Sequence, residues 1–451
     1  MLTDLVLVEA ENPFANDLLD RSTFVTNLKQ ILLSGDRGIV LGLNGAWGTG
    51  KTTCVEFLRQ DLINTGHVVI VLNAWADDHV SDPLIAVMAS LIDDENFKRH
   101  IKDHDLVARL TQIGKNVLGL AAQSGLSLLS IGTVSPGDIA RVIEVETDYS
   151  KVLSKYNDEK KEINALRDVL IEVSQYLKND EDKKLIIIVD ELDRCKPTYA
   201  ISLFERIKHV LEVDNLRVLL SFDQEQLEAT VRKHYGSKVD ANRYLEKMFD
   251  LIINLPISDL SKLFKKTIES LNLPVDRVIH SPPYRQGSID ELLEFLLILL
   301  KATHASAREL QRTLTRVHFL WSRSSGLRVD PVYAVVLLIL RSQSPKIFAK
   351  IKNGHSSFSE IDLFFKKFAG GSRYWNGNFQ NYIETLYYIK QDSALDTLDL
   401  TSIPIESQAF SVLPLEIQSK RQRMQAYIFN IRNDSVGSLQ EMALAVDLVI
   451  S

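Results

Sequence analysis

Four runs of apolar, largely β-branched residues stand out along the chain: residues 38–43, 68–73, 185–190 and 216–223. Runs with no polar alternation suit strands buried on both faces of a parallel sheet. A shorter run, residues 251–256, reads as a final strand ended by Pro256. Between them the apolar period changes to that of helices. Asp20 to Leu33 is one such segment, with Asp20 or Ser22 as its cap, and Pro83 to Asp93 is another. Arg141 to Lys178 predicts a long charged helix, with Val152, Leu153, Tyr156, Ile163, Leu166, Leu170 and Val173 at three- and four-residue spacing. Strands alternating with helices predict a right-handed parallel α/β sheet in three layers, α/β/α.

After Pro256 the pattern is helical, over residues 258–271, 289–300, 306–321 and 331–340. The predicted organisation is an α/β core in two parts, residues 1–91 and 185–260, separated by a mainly helical insertion at 92–184. A helical lid at 261–369 follows, and then a C-terminal region at 370–451 to which the pattern assigns no role.

Composition narrows the class only a little. With 45% hydrophobic and 25% charged residues the chain is that of an ordinary globular protein, and 451 residues allow two or three domains. A net charge of −7 gives no global case for nucleic acid or for an anionic membrane. Two cysteines, Cys54 and Cys195, cannot build a zinc cluster and point to a reducing, cytoplasmic setting. The first residues, Met1-Leu2-Thr3-Asp4, show no secretory pattern. Residues 113–134 are apolar but carry Lys115, Asn116 and Gln123, which favours a packed helix over membrane contact.

Chemistry enters at Gly45-Ala46-Trp47-Gly48-Thr49-Gly50-Lys51-Thr52, a G-x-x-x-x-G-K-T stretch between a predicted strand and a predicted helix that opens at Thr53. Its backbone N–H groups converge on one anion at the positive end of the helix dipole. Lys51 then reaches the β- and γ-phosphates of a nucleoside triphosphate, and the Thr52 hydroxyl is a ligand for Mg²⁺. Asp190 closes a strand of β-branched residues, where a carboxylate serves the same metal. Glu191 follows it as the candidate general base for the attacking water. Cys195, with no His near it in sequence, reads as a packed thiol. No strand is followed by N-K-x-D, so a guanine-reading site is not indicated.

These blocks resemble the KAP family of P-loop NTPases. The phosphate loop is similar to the family's G-x-W-G-x-G-K-T, and Asn73-Ala74-Trp75 to its N-x-W. Asp190-Glu191-Leu192-Asp193-Arg194-Cys195-Lys196-Pro197 resembles D-D-L-D-R-C-x-P, with Glu191 where the family often has Asp. Tyr244-Leu245-Glu246-Lys247-Met248-Phe249 resembles the block Y-L-E-K-[IL]-[FV]. The resemblance implies an additional-strand P-loop NTPase that binds and hydrolyses ATP with Mg²⁺, forms a homo-oligomer, and acts with partner proteins of a multi-component system, most simply in bacterial defence against phage. It further implies that the strand ending Ser221-Phe222-Asp223 lies between the phosphate loop and Asp190, so that Ser221 or Asp223 senses the γ-phosphate. Arg243, or else Lys247, becomes the arginine-finger candidate, acting on a neighbouring subunit, and Arg308 a lid arginine that reaches the γ-phosphate. Leu19-Asp20-Arg21 resembles the segment that frames the base. Two other readings stay open: a nucleotide-gated scaffold with little turnover, and a nucleic-acid-associated ATPase.

Overall fold

The computed structural model of the chain describes residues 8–80, 82–124, 149–180, 182–273, 288–322, 330–368 and 439–450, with Trp375, Gln380, Ile383 and Glu384. It divides into two compact units after Ser258. The first holds five described strands: β1 (Ile39–Asn44), β2 (Val68–Asn73), β3 (Leu185–Asp190), β4 (Leu216–Phe222) and β5 (Leu251–Asn254). All pair in parallel, in the order β2-β3-β4-β1-β5. β4 therefore stands between the strand that feeds the phosphate loop and the strand that ends in Asp190, as the additional-strand fold requires. Asn44 lies opposite Phe222 and Asn254, and Asp190 opposite Asn73. That register lines up the carboxyl ends of the strands along one edge, the edge where open α/β sheets bind ligands.

The unbroken apolar runs are explained by layers on both faces. Leu41, Leu43, Val69, Ile186, Ile188 and Leu219 pack against α1 (Ser22–Leu33) and α2 (Lys51–Asn64) through Val25, Leu28, Phe57 and Leu58. Alternate residues, among them Val40, Ile70, Ile187, Val189 and Val218, turn to the other face. There they meet α3 (Pro83–Asp93), α5 (His104–Ser124), α6 (Tyr149–Asn179), α7 (Pro197–Val210) and α8 (Gln224–Tyr235). Two short helices, α4 (Glu95–His100) and α9 (Ala241–Glu246), complete the described α-helices of this unit, and a 3-10 turn spans Leu192–Arg194. The start of α1 departs from expectation. Neither Asp20 nor Ser22 caps it; the Asp17 carboxylate accepts from the N–H groups of Arg21 at 2.9 Å and Ser22 at 2.8 Å.

Within the stretch expected to be an insertion, α5 and α6 pair through apolar contacts and a bidentate ion pair, Arg109 to Glu172, at 2.7 and 2.8 Å. Ile113, at the head of the ambiguous apolar segment, is buried in this core. Residues 125–134 of that segment lie outside the described residues, as do 141–148 of the long helix. No described helix is long and apolar enough to cross a membrane.

The second unit is helical where described: α10 (Ser261–Leu271), α11 (Ser288–Ala302), α12 (Ala307–Ser322), α13 (Pro331–Gln343), α14 (Pro345–Lys352), α15 (Phe358–Phe368) and α16 (Leu439–Ile450). Its centre is α13, where every residue from Val332 to Leu340 is buried. Asp330 caps this helix, accepting from Tyr333 N–H at 2.8 Å. Arg341 near its far end pairs with Asp447 of α16 at 2.9 Å. Stacked rings of Phe295, Trp375 and Phe365 fill a second cluster. Most of the region after residue 370 lies outside the described residues.

Candidate nucleotide site

The phosphate loop leaves β1 and turns into α2. Gly45 N–H donates to the Phe222 carbonyl at 3.1 Å, which ties the loop's first residue to the end of β4. The Thr49 hydroxyl donates to the Ala46 carbonyl at 2.7 Å and closes the loop on itself. Gly48 and Gly50 adopt positive φ, 80° and 93°, a region that side chains make costly. At Gly50 there is a second constraint, because a Cβ there would stand 2.9 Å from Leu19 Cδ1. Gly50→Ala is therefore expected to displace the loop and to weaken ATP binding at least about tenfold, the equivalent of about 1.4 kcal/mol. Gly66 serves as the control. It also has a positive φ, but at the far end of α2, and Gly66→Ala should leave affinity for a fluorescent ATP analogue unchanged. Equal affinities for wild type and Gly50→Ala would show that the loop's glycine geometry is dispensable.

Lys51 is buried, and its ammonium donates to the carbonyls of Gly45 and, at 3.3 Å, Ala46. Burial draws its pKa down, while the carboxylates of Asp193, Asp223 and Asp190 act to hold it up. Arg194 acts with burial to lower it, so the pattern brings together five charged groups from separated parts of the chain. Thr52 is exposed on the first turn of α2, and Thr53 half-buried beside it. Asp190 is buried at the end of β3, one carboxylate oxygen accepting from Glu191 N–H at 2.9 Å. Asp223 caps α8, accepting from Glu225 N–H at 3.1 Å, and its other oxygen accepts from Trp47 N–H at 3.2 Å. Ser221 lies opposite Leu43 in the sheet, fully buried, and its hydroxyl has no hydrogen-bond partner among the described residues.

Glu191 has φ 60°, a left-handed conformation unusual for a residue with a side chain. Its carboxylate accepts from the Asn73 amide at 3.2 Å and pairs with Arg194 at 2.7 Å. Arg194 in turn lies over the Trp75 ring, 5.4 Å from the centroid. Trp47 reaches across from the phosphate loop and donates its indole N–H to Asp193. Both tryptophans remain half-exposed and, with Asp193 and Arg194, line a cavity of about 440 Å³ whose other wall is α8. The residues after Asp190 are thus gripped from two sides, by the loop and by β2. No sequence signal reported these grips, although the N-x-W block contained two of the residues involved.

Arg21 is a further site residue whose part the sequence did not disclose. It is buried, and its guanidinium donates to the carbonyls of Thr49, at 3.1 Å, and Pro256. It thereby joins the phosphate loop to the end of β5. Asp20, just before it, has φ 52°. Arg243 is exposed on α9 and has no ion pair among the described residues. Lys247 follows α9, its carbonyl accepting from Lys208. Arg308 stands exposed in the first turn of α12, in the second unit.

The donor set suits Mg²⁺. A hydroxyl on Thr52 and a carboxylate on Asp190 are hard oxygen ligands, and Mg²⁺ takes one or two such groups with phosphate oxygens and water. No cluster of three or more His, Cys, Asp or Glu side chains suited to a metal occurs among the described residues, so this chain would supply only part of the coordination. Both thiols are out of play: burial pushes Cys54 and Cys195 up to about 12.

Among solved structures, the chain is similar to a DNA replication initiation factor, at 12% identity, 98% of each chain and a TM-score of 0.33. It is also similar to AMPPCP-bound DnaA from Aquifex aeolicus, at 12% identity over 82% of this chain and 92% of that one, with a TM-score of 0.24. Among curated proteins it is 24% identical over 334 residues to the phage T7 exclusion protein of Escherichia coli (strain K12). That match covers 68% of this chain and 42% of the relative, so the chain spans less than half of that protein's length. The model described as the KAP family P-loop domain matches residues 21–322, more than half of the chain, and the protein belongs to the KAP family of P-loop NTPases.

Proposed function

We propose that the protein is a Mg²⁺-dependent ATPase that works as a nucleotide-driven switch. The observation that carries this reading is the gathering of Lys51, Asp190, Asp193 and Asp223 at the carboxyl edge of β1, β3 and β4. In this reading the loop from Gly45 to Thr52 and the start of α2 bind the phosphates. Thr52 and Asp190 hold Mg²⁺, which when bound neutralises charge on the β- and γ-phosphates. Glu191 accepts the proton of the attacking water. Ser221 or Asp223 registers the γ-phosphate, Arg308 reaches it from the helical lid, and Arg243 acts in trans in a homo-oligomer, with Lys247 as the alternative. Lid closure and assembly then follow the nucleotide state. A role in cytoplasmic anti-phage defence, with partner proteins, is supported by likeness to the phage T7 exclusion protein.

One observation favours a second reading, a nucleotide-gated scaffold: the Glu191 carboxylate is already engaged by Asn73 and Arg194. Three measurements test the readings. ATP binding should require Mg²⁺ for full affinity, and steady-state phosphate release should be measurable. Sizing with and without ATP and Mg²⁺ should show a change of assembly. Binding without release would leave the scaffold; no binding at all would reject both.

A further inference from the structure

The outer face of α12 carries Arg308, Arg312 and Arg316, one helical turn apart. Arg308 and Arg312 are exposed and Arg316 is half-buried. None of the three has a hydrogen bond or ion pair made by its guanidinium among the described residues. Other cations take four of the described acids of this unit: Asp447 pairs with Arg341 and Lys352, Glu360 with Lys350, Asp362 with Lys366, and Asp259 with Lys301. Glu309, the acid within α12, accepts from Ser306 N–H at 2.7 Å in a capping box. Burial and the like charges of Arg341 and Arg312 pull the Arg316 guanidinium below its ordinary value. Among the described residues of a chain with net charge −7, this row of arginines is thus left uncompensated.

The rest of that face is not apolar packing. Thr315 lies between the arginines, and Phe319, 56% exposed, follows one turn on. At 3.6 residues per turn these five side chains share roughly 100° of arc, and successive arginines advance about 6 Å along the axis. The opposite face is buried through Leu310, Thr313, Leu314, Val317, Leu320 and Trp321. From this we infer that α12 is a binding surface for the backbone of a single-stranded nucleic acid, with Arg312 and Arg316 on successive phosphates and Phe319 offering a base a stacking platform. Arginine suits the role because its planar fork meets phosphate oxygens bidentately. An exposed aromatic ring beside a basic row is the arrangement that holds unstacked bases without reading sequence.

The test measures anisotropy of a labelled oligonucleotide of about 20 nucleotides, titrated with the full chain at several salt concentrations between about 50 and 200 mM. Arg308 is left intact because of the role proposed for it towards ATP. The wild-type chain should bind the single strand, and log affinity should fall against log salt concentration with a slope of about 0.7 per phosphate contact. R312Q/R316Q should lower that slope by about 1.4 and weaken binding at least tenfold. R312K/R316K, which keeps the charge, should retain the slope. F319A should weaken binding about tenfold at an unchanged slope. Phosphate release in the absence of oligonucleotide should be the same in all these variants, so failure of the ATPase reading shows separately. The inference is overturned by absent binding at about 50 mM salt, or by a slope that R312Q/R316Q leaves unaltered. It is equally overturned if a duplex binds as well and is indifferent to F319A. Displacement by poly-glutamate at equal charge would assign the face to an acidic protein instead, and competitive displacement by stoichiometric ATP would assign it to the nucleotide site.

Discussion

Glu191→Gln should lower steady-state phosphate release by about 10²–10⁴-fold while ATP affinity stays within a few fold. The substitution preserves shape and removes the one property a base needs, its anionic oxygen. Three contacts fix where that oxygen sits. The Glu191 N–H is bound to Asp190, and the side chain is held by Asn73 at 3.2 Å and Arg194 at 2.7 Å. The left-handed backbone at Glu191 sets its carboxylate on the same turn as Asp190, the proposed metal ligand. Glutamine's one carbonyl oxygen can still accept from Arg194 while its amide nitrogen gives up the Asn73 bond, and neither contact belongs to the phosphate loop, whose affinity should be kept. Turnover that matches wild type would remove Glu191 from the mechanism, and a parallel loss of binding would make it a structural residue.

What the sequence made legible, and what it did not, divides along a physical line. Uninterrupted β-branched runs report burial on both faces, and they located β2, β3 and β4 closely because few other structures bury such runs. The glycines, Lys51 and Thr52 report a backbone conformation confined to a few consecutive residues, so they too can be read locally. Partners more than a hundred residues apart leave no such trace. Trp47 and Asp193 are separated by 146 positions, and nothing in either neighbourhood says that they meet. Asn73 and Glu191, 118 positions apart, meet because β2 and β3 pair in one particular register. Asp17 lies a few positions upstream of the two residues considered as caps of α1, and which acid turns inward is decided by the chain's path into the helix. The row on α12 shows the converse: Arg312 and Arg316 were visible in sequence, but only their lack of partners among the described residues gives them meaning.

Arg217 is the case in which a local reading was silent and the energetic consequence is largest. It follows Leu216 in a strand whose every residue is buried, and it is itself fully buried. Its guanidinium reaches the loop after α1, donating to the carbonyls of Leu32 at 2.7 Å, Arg37 at 2.7 Å, Ser34 at 3.3 Å and Gly35. The Leu32 and Ser34 oxygens belong to the end of α1, which leaves such carbonyls unpaired and where the helix dipole favours a cation; Gly35 and Arg37 belong to the loop beyond it. Burial draws its pKa down, against Asp36, Asp214 and Asp182, and the guanidinium stays charged. Replacing a buried ion pair by apolar residues is often nearly neutral, because both polar partners are removed together. Here the partners are backbone carbonyls and no substitution can remove them. Arg217→Met is therefore expected to destabilise by about 3 kcal/mol, a figure reduced from the sum of its hydrogen bonds because Ser34, Gly35 and Arg37 are exposed and their carbonyls can turn to water. The unfolding midpoint should drop by roughly 6–12 °C. Arg217→Lys, with a single ammonium in place of the fork, should recover less than half of the loss. A methionine variant that melts with wild type would show that desolvating the guanidinium costs as much as its carbonyl bonds return, and that the end of α1 is held by its apolar contacts alone.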